Sequence, residues 1–77
     1  MISPEQSRAA RGWLDWSQDE LAKRANVSLS TVRDFEKGRR TPIANNLEAI
    51  ERALTVAGIE MLDEQHRAVG IRRSSQD

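Results

Sequence analysis

The interval from Ser17 to Gly38 constrains this chain most, because it holds two helix starts too close together for their helices to run in line. Ser17-Gln18-Asp19-Glu20 reads as a capping box, with Asp19 and Glu20 also set against the positive end of the helix dipole. The helix it opens carries Leu21, Ala22 and Ala25 on its inner face. It must stop near Asn26, since asparagine accepts the left-handed backbone that ends helices. Ser28 caps a further helix two residues later, with Val32 and Phe35 as inner positions and Gly38 as terminator. Two short helices joined by about three residues must cross at a steep angle.

Further helices are expected on either side. Ser3 precedes Pro4, a residue favoured at the first helical position, and Gln6 completes a capping box with Ser3. This predicts a helix over about Pro4 to Leu14, with Ala9, Ala10, Trp13 and Leu14 recurring at helical spacing. After the basic loop Arg39-Arg40-Thr41-Pro42, Asn45 with Glu48 reads as another capping pair. Leu47, Ile50, Ala53, Leu54 and Ala57 follow at 3.6-residue spacing, and Gly58 ends that helix. Beyond it, Ile59-Glu60-Met61 and Val69-Gly70-Ile71-Arg72 alternate apolar and polar. Two short strands are expected there, either as a hairpin or as an arm exchanged between copies. Such a pair is marginal alone in water and needs a surface or another chain. The reading is a helical unit over residues 1–57, an extension over 58–73 and a frayed tail over 74–77.

Size and composition narrow the function classes. A chain of 77 residues is one small domain of modest stability, and with no cysteine it cannot be stapled by disulfides or thiolate metal sites. A homodimer is the expected source of extra stability. No apolar run approaches the roughly 20 residues of a membrane span, and residues 1–20 lack a signal-peptide core, so a cytoplasmic location is expected. Twelve basic residues balance twelve acidic ones, yet their distribution is uneven. Residues 23–40 hold Lys23, Arg24, Arg33, Lys37, Arg39 and Arg40 against Asp34 and Glu36. Residues 41–66 hold Arg52 against Glu48, Glu51, Glu60, Asp63 and Glu64. One basic face is implied, of the kind that meets nucleic acid.

Taken together, residues 17–42 resemble the Cro/lambda-repressor-type helix-turn-helix family, also called the XRE family. The matching stretches are Ser17-Gln18-Asp19-Glu20-Leu21-Ala22, Val27-Ser28-Leu29-Ser30-Thr31-Val32 and Phe35-Glu36-Lys37-Gly38-Arg39-Arg40-Thr41-Pro42. The resemblance extends over residues 4–57. It implies a mainly α fold, a four-helix lambda-repressor-like DNA-binding domain with a short C-terminal β extension. The family usually has glycine where this chain has Asp15 and Asn26, two residue types that tolerate a left-handed backbone.

The resemblance implies double-stranded DNA as partner and a role in transcription regulation, as a repressor working at the nucleoid. The start of the helix at Ser28 would point into the major groove. Leu29, Ser30, Arg33 and Asp34 would then contact bases: Arg33 guanine, Ser30 either base edge, Leu29 a thymine methyl and Asp34 a cytosine amine. Gln18 is similar to the family's phosphate-binding glutamine, and Ser28, Arg39, Arg40, Asn45 and Asn46 would join it at the DNA backbone. One such unit reads only about four base pairs, so two copies are needed. Ile59, Met61, Val69 and Ile71 are the candidate dimerisation residues, pairing strands between chains.

The same residues admit other readings. Some family members of this architecture are antitoxins, so a toxin partner bound through the C-terminal extension is an alternative. An enzyme is not expected: no cysteine nucleophile, tyrosine, phosphate-binding glycine loop or paired His-acid arrangement is present. Trp13 and Trp16 read as core and boundary packing. His66 beside Asp63 and Glu64 lacks the rigid frame and third ligand a metal would require. It reads as solvent-exposed, and neither metal nor cofactor is expected.

Overall fold

The computed structural model describes residues 1–65 and 67–73, with the side chains of all but Arg67 and Val69. The expectations for His66, for the Val69 side chain and for the tail 74–77 lie outside the described residues. Four helices, α1 (Pro4–Leu14), α2 (Gln18–Ala25), α3 (Leu29–Glu36) and α4 (Ala44–Val56), are followed by β1 (Ile59–Glu64) and β2 (Arg67–Arg73).

The first two turns are built alike. Each helix ends on a left-handed residue, Asp15 (φ 59°) after α1 and Asn26 (φ 57°) after α2. Each then places one apolar residue, Trp16 or Val27, and next a serine cap. Trp16 N–H reaches back to Arg11 O at 2.9 Å and Val27 N–H to Ala22 O at 3.0 Å, closing the helix ends. Ser17 Oγ accepts from Glu20 N–H at 3.0 Å and Ser28 Oγ from Thr31 N–H at 3.1 Å. Asp and Asn at the left-handed positions therefore serve where the family pattern has glycine. Gly38 (φ 75°) and Gly58 (φ 103°) end α3 and α4 on backbone that a side chain would strain.

Two expected caps differ. Only Ser3 and Gln6 form a full capping box. At α2 the Glu20 carboxylate turns outward to Arg24 Nε at 2.7 Å, one helical turn on, and only the serine half of the box is made. The Asn45–Glu48 pair is not formed. α4 begins earlier, at Ala44 with Ile43 as N-cap, because Pro42 already sets the chain for helix entry, and Asn45 and Asn46 fall inside the first turn. No side chain caps this helix.

The core joins Ile2, Ala10, Leu21, Ala22, Ala25, Val32, Phe35, Leu47, Ile50, Leu54 and Ile59. Fully burying each large aliphatic side chain contributes about 1.5–3 kcal/mol before chain entropy is charged against it. The inner face of α1 differs from the expected one. Ala9 and Trp13 are exposed, Trp13 at 59%, whereas Gln6, Ser7 and Ala10 are buried. Trp16 does sit at the core boundary, with the Arg24 guanidinium 4.3 Å from its ring centre.

β1 and β2 pair antiparallel within one chain, with Ile59 opposite Arg73, Met61 opposite Ile71 and an irregularity after Leu62. Of the two arrangements expected for these strands, the single chain forms the hairpin, which docks on the helices. Gln6 fastens it. Its amide nitrogen donates to Leu62 O at 3.1 Å and Gly70 O at 2.9 Å, one carbonyl on each strand. Its oxygen accepts from Ser3 N–H at 3.0 Å. Every polar atom of a buried glutamine is thereby matched, as burial requires.

Candidate nucleic-acid interface

The back of α3 is held by a buried charge. Val32, Phe35 and Glu36 recur at the i, i+3, i+4 spacing of one helix face, and all three are buried. Glu36 meets Arg11 in a two-pronged contact: Arg11 Nη2 to Oε1 at 2.7 Å and Arg11 Nε to Oε2 at 2.9 Å. Ser7 Oγ donates to Oε2 at 2.5 Å, and Gln18 Nε2 to Oε1 at 3.1 Å. Arg8 donates to the Glu36 backbone carbonyl, and Arg11 Nη1 to Trp16 O at 3.0 Å. This network ties α1, the α1–α2 turn, the start of α2 and the end of α3 together. Burial pulls the Glu36 carboxyl up, but the hydrogen bonds from Arg11, Ser7 and Gln18, with the Arg11 charge, outweigh it and hold the group below its ordinary value.

The opposite edge of α3 is open. Ser28, Ser30 and Arg33 are exposed, and Asp34 is half-buried. Leu29 differs from the expected outward placement: it is half-buried and packs on the core, because it lies one turn before Val32 on the inner stripe. Ser28 Oγ also touches the hydroxyls of Ser30 (3.1 Å) and Thr31 (2.7 Å) besides capping the helix.

Beyond α3 the chain doubles back. Arg39 N–H and Arg40 N–H both donate to Asp34 O, at 2.9 and 3.3 Å, which sets the basic loop beside the helix end. Ser30, Asp34, Arg40 and Asn46 meet around one cleft of 260 Å³, with Ile43 on its rim. The start of α4 borders it. That helix has neither a capping side chain nor an acidic residue in its first turn, and its leading N–H groups take no side-chain acceptor among the described residues. Helix N-termini of this kind favour anions such as phosphate.

The basic face is narrower than the sequence count suggests. Lys23 is paired with Asp19 at 3.3 Å and Arg24 with Glu20 at 2.7 Å, while Glu36 is withdrawn into the interior. Among the described residues, Arg33, Lys37, Arg39 and Arg40 are exposed and make no ion pair, and all cluster about the end of α3.

Of the ten residues expected at DNA, Ser30, Asp34, Arg40 and Asn46 share the cleft, while Ser28, Arg33, Arg39 and Asn45 lie exposed nearby in sequence. Gln18 lies apart at the start of α2, anchored to Glu36. Leu29 turns inward. The residues missed from sequence were Ser7, Arg11 and Glu36. Their spacing carried the signal: Ser7, Ala10, Arg11 and Leu14 on α1 and Val32, Phe35 and Glu36 on α3 each follow a core stripe. Of the candidate dimerisation residues, Ile59 is fully buried in the chain's own core and offers no surface to a second copy. Met61 and Ile71 are partly buried against that core.

Comparison with known proteins supports the same assignment. A helix-turn-helix family model matches residues 8–60, a span running from α1 through the Glu36 network and α4 into β1. No curated protein matches the chain. With cap, turn, core and terminator all inside that span, the chain belongs to the Cro/lambda-repressor-type (XRE) helix-turn-helix family of DNA-binding, transcription-regulator-type domains.

Proposed function

We propose that this protein is a sequence-specific repressor of transcription that reads the major groove of double-stranded DNA with the outward edge of α3. The observation that carries the reading is the cleft between α3 and α4, where Ser30 and Asp34 stand beside Arg40, Asn46 and an uncapped helix start. Side chains able to meet base edges are there flanked by groups able to hold a phosphate, which is how a reading helix is held in register. Ser30 and Arg33 take base edges, and Asp34 takes an amine donor at the cleft wall. Arg39, Arg40, Asn45 and Asn46 take one strand's phosphates, and Gln18, whose amide is steadied by Glu36, takes a phosphate at the start of α2. Ser28 caps α3 and lies at its groove-facing end.

The working form is a homodimer at the nucleoid. One α3 spans about four base pairs, and two copies related by a two-fold axis place their reading helices about 34 Å apart, one turn of DNA. The open edges of the hairpin, rather than Ile59, supply the contact between copies. Selection of bound sequences from a random duplex pool tests this reading. The expected product is a palindrome with half-sites about 10 base pairs apart. Enrichment of no sequence would refute the proposal, and an asymmetric single half-site would refute the dimer.

A further inference from the structure

Four large hydrophobic side chains are exposed among the described residues: Met1, Trp13, Ile43 and Val56. Ile43 borders the α3–α4 cleft, and Met1 is the chain's first residue. Trp13 and Val56 remain, 59% and 80% exposed, and nothing in the core or at the DNA-facing edge uses them.

They belong to one strip. Trp13 borders a hollow floored by Leu14 and Ala57, with Arg73 at its edge. Val56 borders a groove of 370 Å³ between α2 and α4, floored by Ala25, Ala49, Ala53 and the same Ala57. Ala49, Ala53 and Ala57 fall at four-residue intervals on α4, so the floor follows one face of that helix. Small side chains there leave room for a second backbone, with Val56 on the groove's rim and Trp13 on the adjoining hollow that shares Ala57. The strip follows α4 from Ala49 onward, so its near end lies about 7 Å and its far end about 18 Å along the helix from the end that borders the DNA-facing cleft.

Its charge is one-sided. Among the described residues, the charged ones that line either hollow are Arg24, Arg52 and Arg73. Arg24 is matched by Glu20, whereas Arg52 and Arg73 make no ion pair among the described residues. This decides between occupants. A second copy seated strip to strip would oppose arginine with arginine about the two-fold axis, a costly arrangement for any interface. The floor is also mostly half-buried alanine, which has little apolar surface to add to a seam of the roughly 800 Å² per partner that a stable dimer buries. A single helix fits both limits if it brings apolar side chains to the floor and carboxylates to the rim.

We infer that the strip from Trp13 through Ala57 to Ala49 is a docking groove for an acidic amphipathic helix of another protein. It binds while the edge of α3 stays free, so one chain can hold duplex and partner together. This inference does not depend on the identity of the DNA site.

The test uses the full chain and two labelled 18-residue amphipathic peptides with identical leucine stripes, one with glutamate and one with lysine on the polar face. Fluorescence anisotropy is expected to show the glutamate peptide binding at least tenfold tighter, with the preference shrinking as salt rises. Val56→Glu and Arg52→Glu, both at exposed positions that leave the fold intact, are each expected to weaken it at least tenfold while duplex binding changes less than twofold. Equal binding of the two peptides, or binding of neither, overturns the inference. So does loss of a sedimenting dimer in Val56→Glu, which makes the strip a seam between copies. A loss of duplex affinity in Val56→Glu also overturns it, by placing the strip within the DNA footprint.

Discussion

Replacing Arg11 by methionine tests whether the Glu36 network holds the reading helix in place. Glu36 is 1% exposed and Arg11 19% exposed, so the pair is shielded from solvent and cannot be discounted as a surface contact. Removing one partner of a buried pair costs about 3–5 kcal/mol, because it strands the other charge. Here Ser7 and Gln18 still donate to Glu36, which sets the expectation near 3 kcal/mol. A chain of this length has a total stability of about 4–12 kcal/mol, so Arg11→Met alone removes a quarter or more of it. At about 4–8 °C per kcal/mol, the midpoint falls by roughly 12–24 °C. The double variant Arg11→Met/Glu36→Leu leaves no charge behind and is expected to recover most of the loss, to within about 1 kcal/mol of the parent. The remainder reflects the lost Arg11 bond to Trp16 O and the orphaned Ser7 hydroxyl. Thermal and urea unfolding followed by circular dichroism give the three stabilities of the cycle. A single-variant loss below about 1 kcal/mol, or a double variant no better than the single, would refute the argument that the buried charge is what costs. Duplex binding by the double variant adds a second reading. The refolded double variant is expected to bind more weakly, since Gln18 has lost its anchor.

Four other outcomes follow from named contacts. Because Glu36 titrates lower in the folded chain than in the unfolded one, its contribution is present above pH about 4.3 and is lost as pH falls through the folded value; Glu36→Gln, less stable at neutral pH, is expected to lack that acid-range slope in urea titrations. Arg33→Ala is expected to cost about 1–3 kcal/mol on the selected site and relax one base pair, whereas Arg39→Ala or Arg40→Ala weakens all duplexes and flattens the salt dependence by about one ion; equal losses for Arg33→Ala on selected and random DNA would remove its reading role. Gln6→Ala leaves the Leu62 and Gly70 carbonyls without their donor and is expected to cost about 2–3 kcal/mol, with amide exchange accelerating first in the hairpin. Trp13→Ala is expected to cost less than about 1 kcal/mol in unfolding experiments, against the 3–5 kcal/mol of a core aromatic.

The parts legible in the sequence were those written in local chemistry. Serines at 3, 17 and 28 start helices because each hydroxyl can serve a backbone donor three residues on, whatever the rest of the chain does. Asp15, Asn26, Gly38 and Gly58 end them for an equally local reason. The fourth start is obscured in the sequence because Asn45 looks like a cap, while Pro42 and Ile43 set the entry geometry without one. Trp13 reads as core by its size, but α1 turns a face carrying Gln6, Ser7 and Ala10 inward instead.

What local chemistry could not supply was the partner of each polar group on an inner stripe. Gln6 finds carbonyls more than fifty residues away, and Glu36 finds an arginine twenty-five residues before it. Composition counted Glu36 as one carboxylate diluting a basic segment, and the fold reverses its meaning. Buried and neutralised by Arg11, it subtracts nothing from the outer face and leaves Arg33, Lys37, Arg39 and Arg40 nearly unopposed there. The same carboxylate holds Gln18 from behind, so the residue that sharpens the positive field also steadies a phosphate-binding candidate on the adjoining helix. A chain with zero formal charge can present a cationic edge in this way, since acidic groups placed inward or on distant turns balance the total without screening the contact.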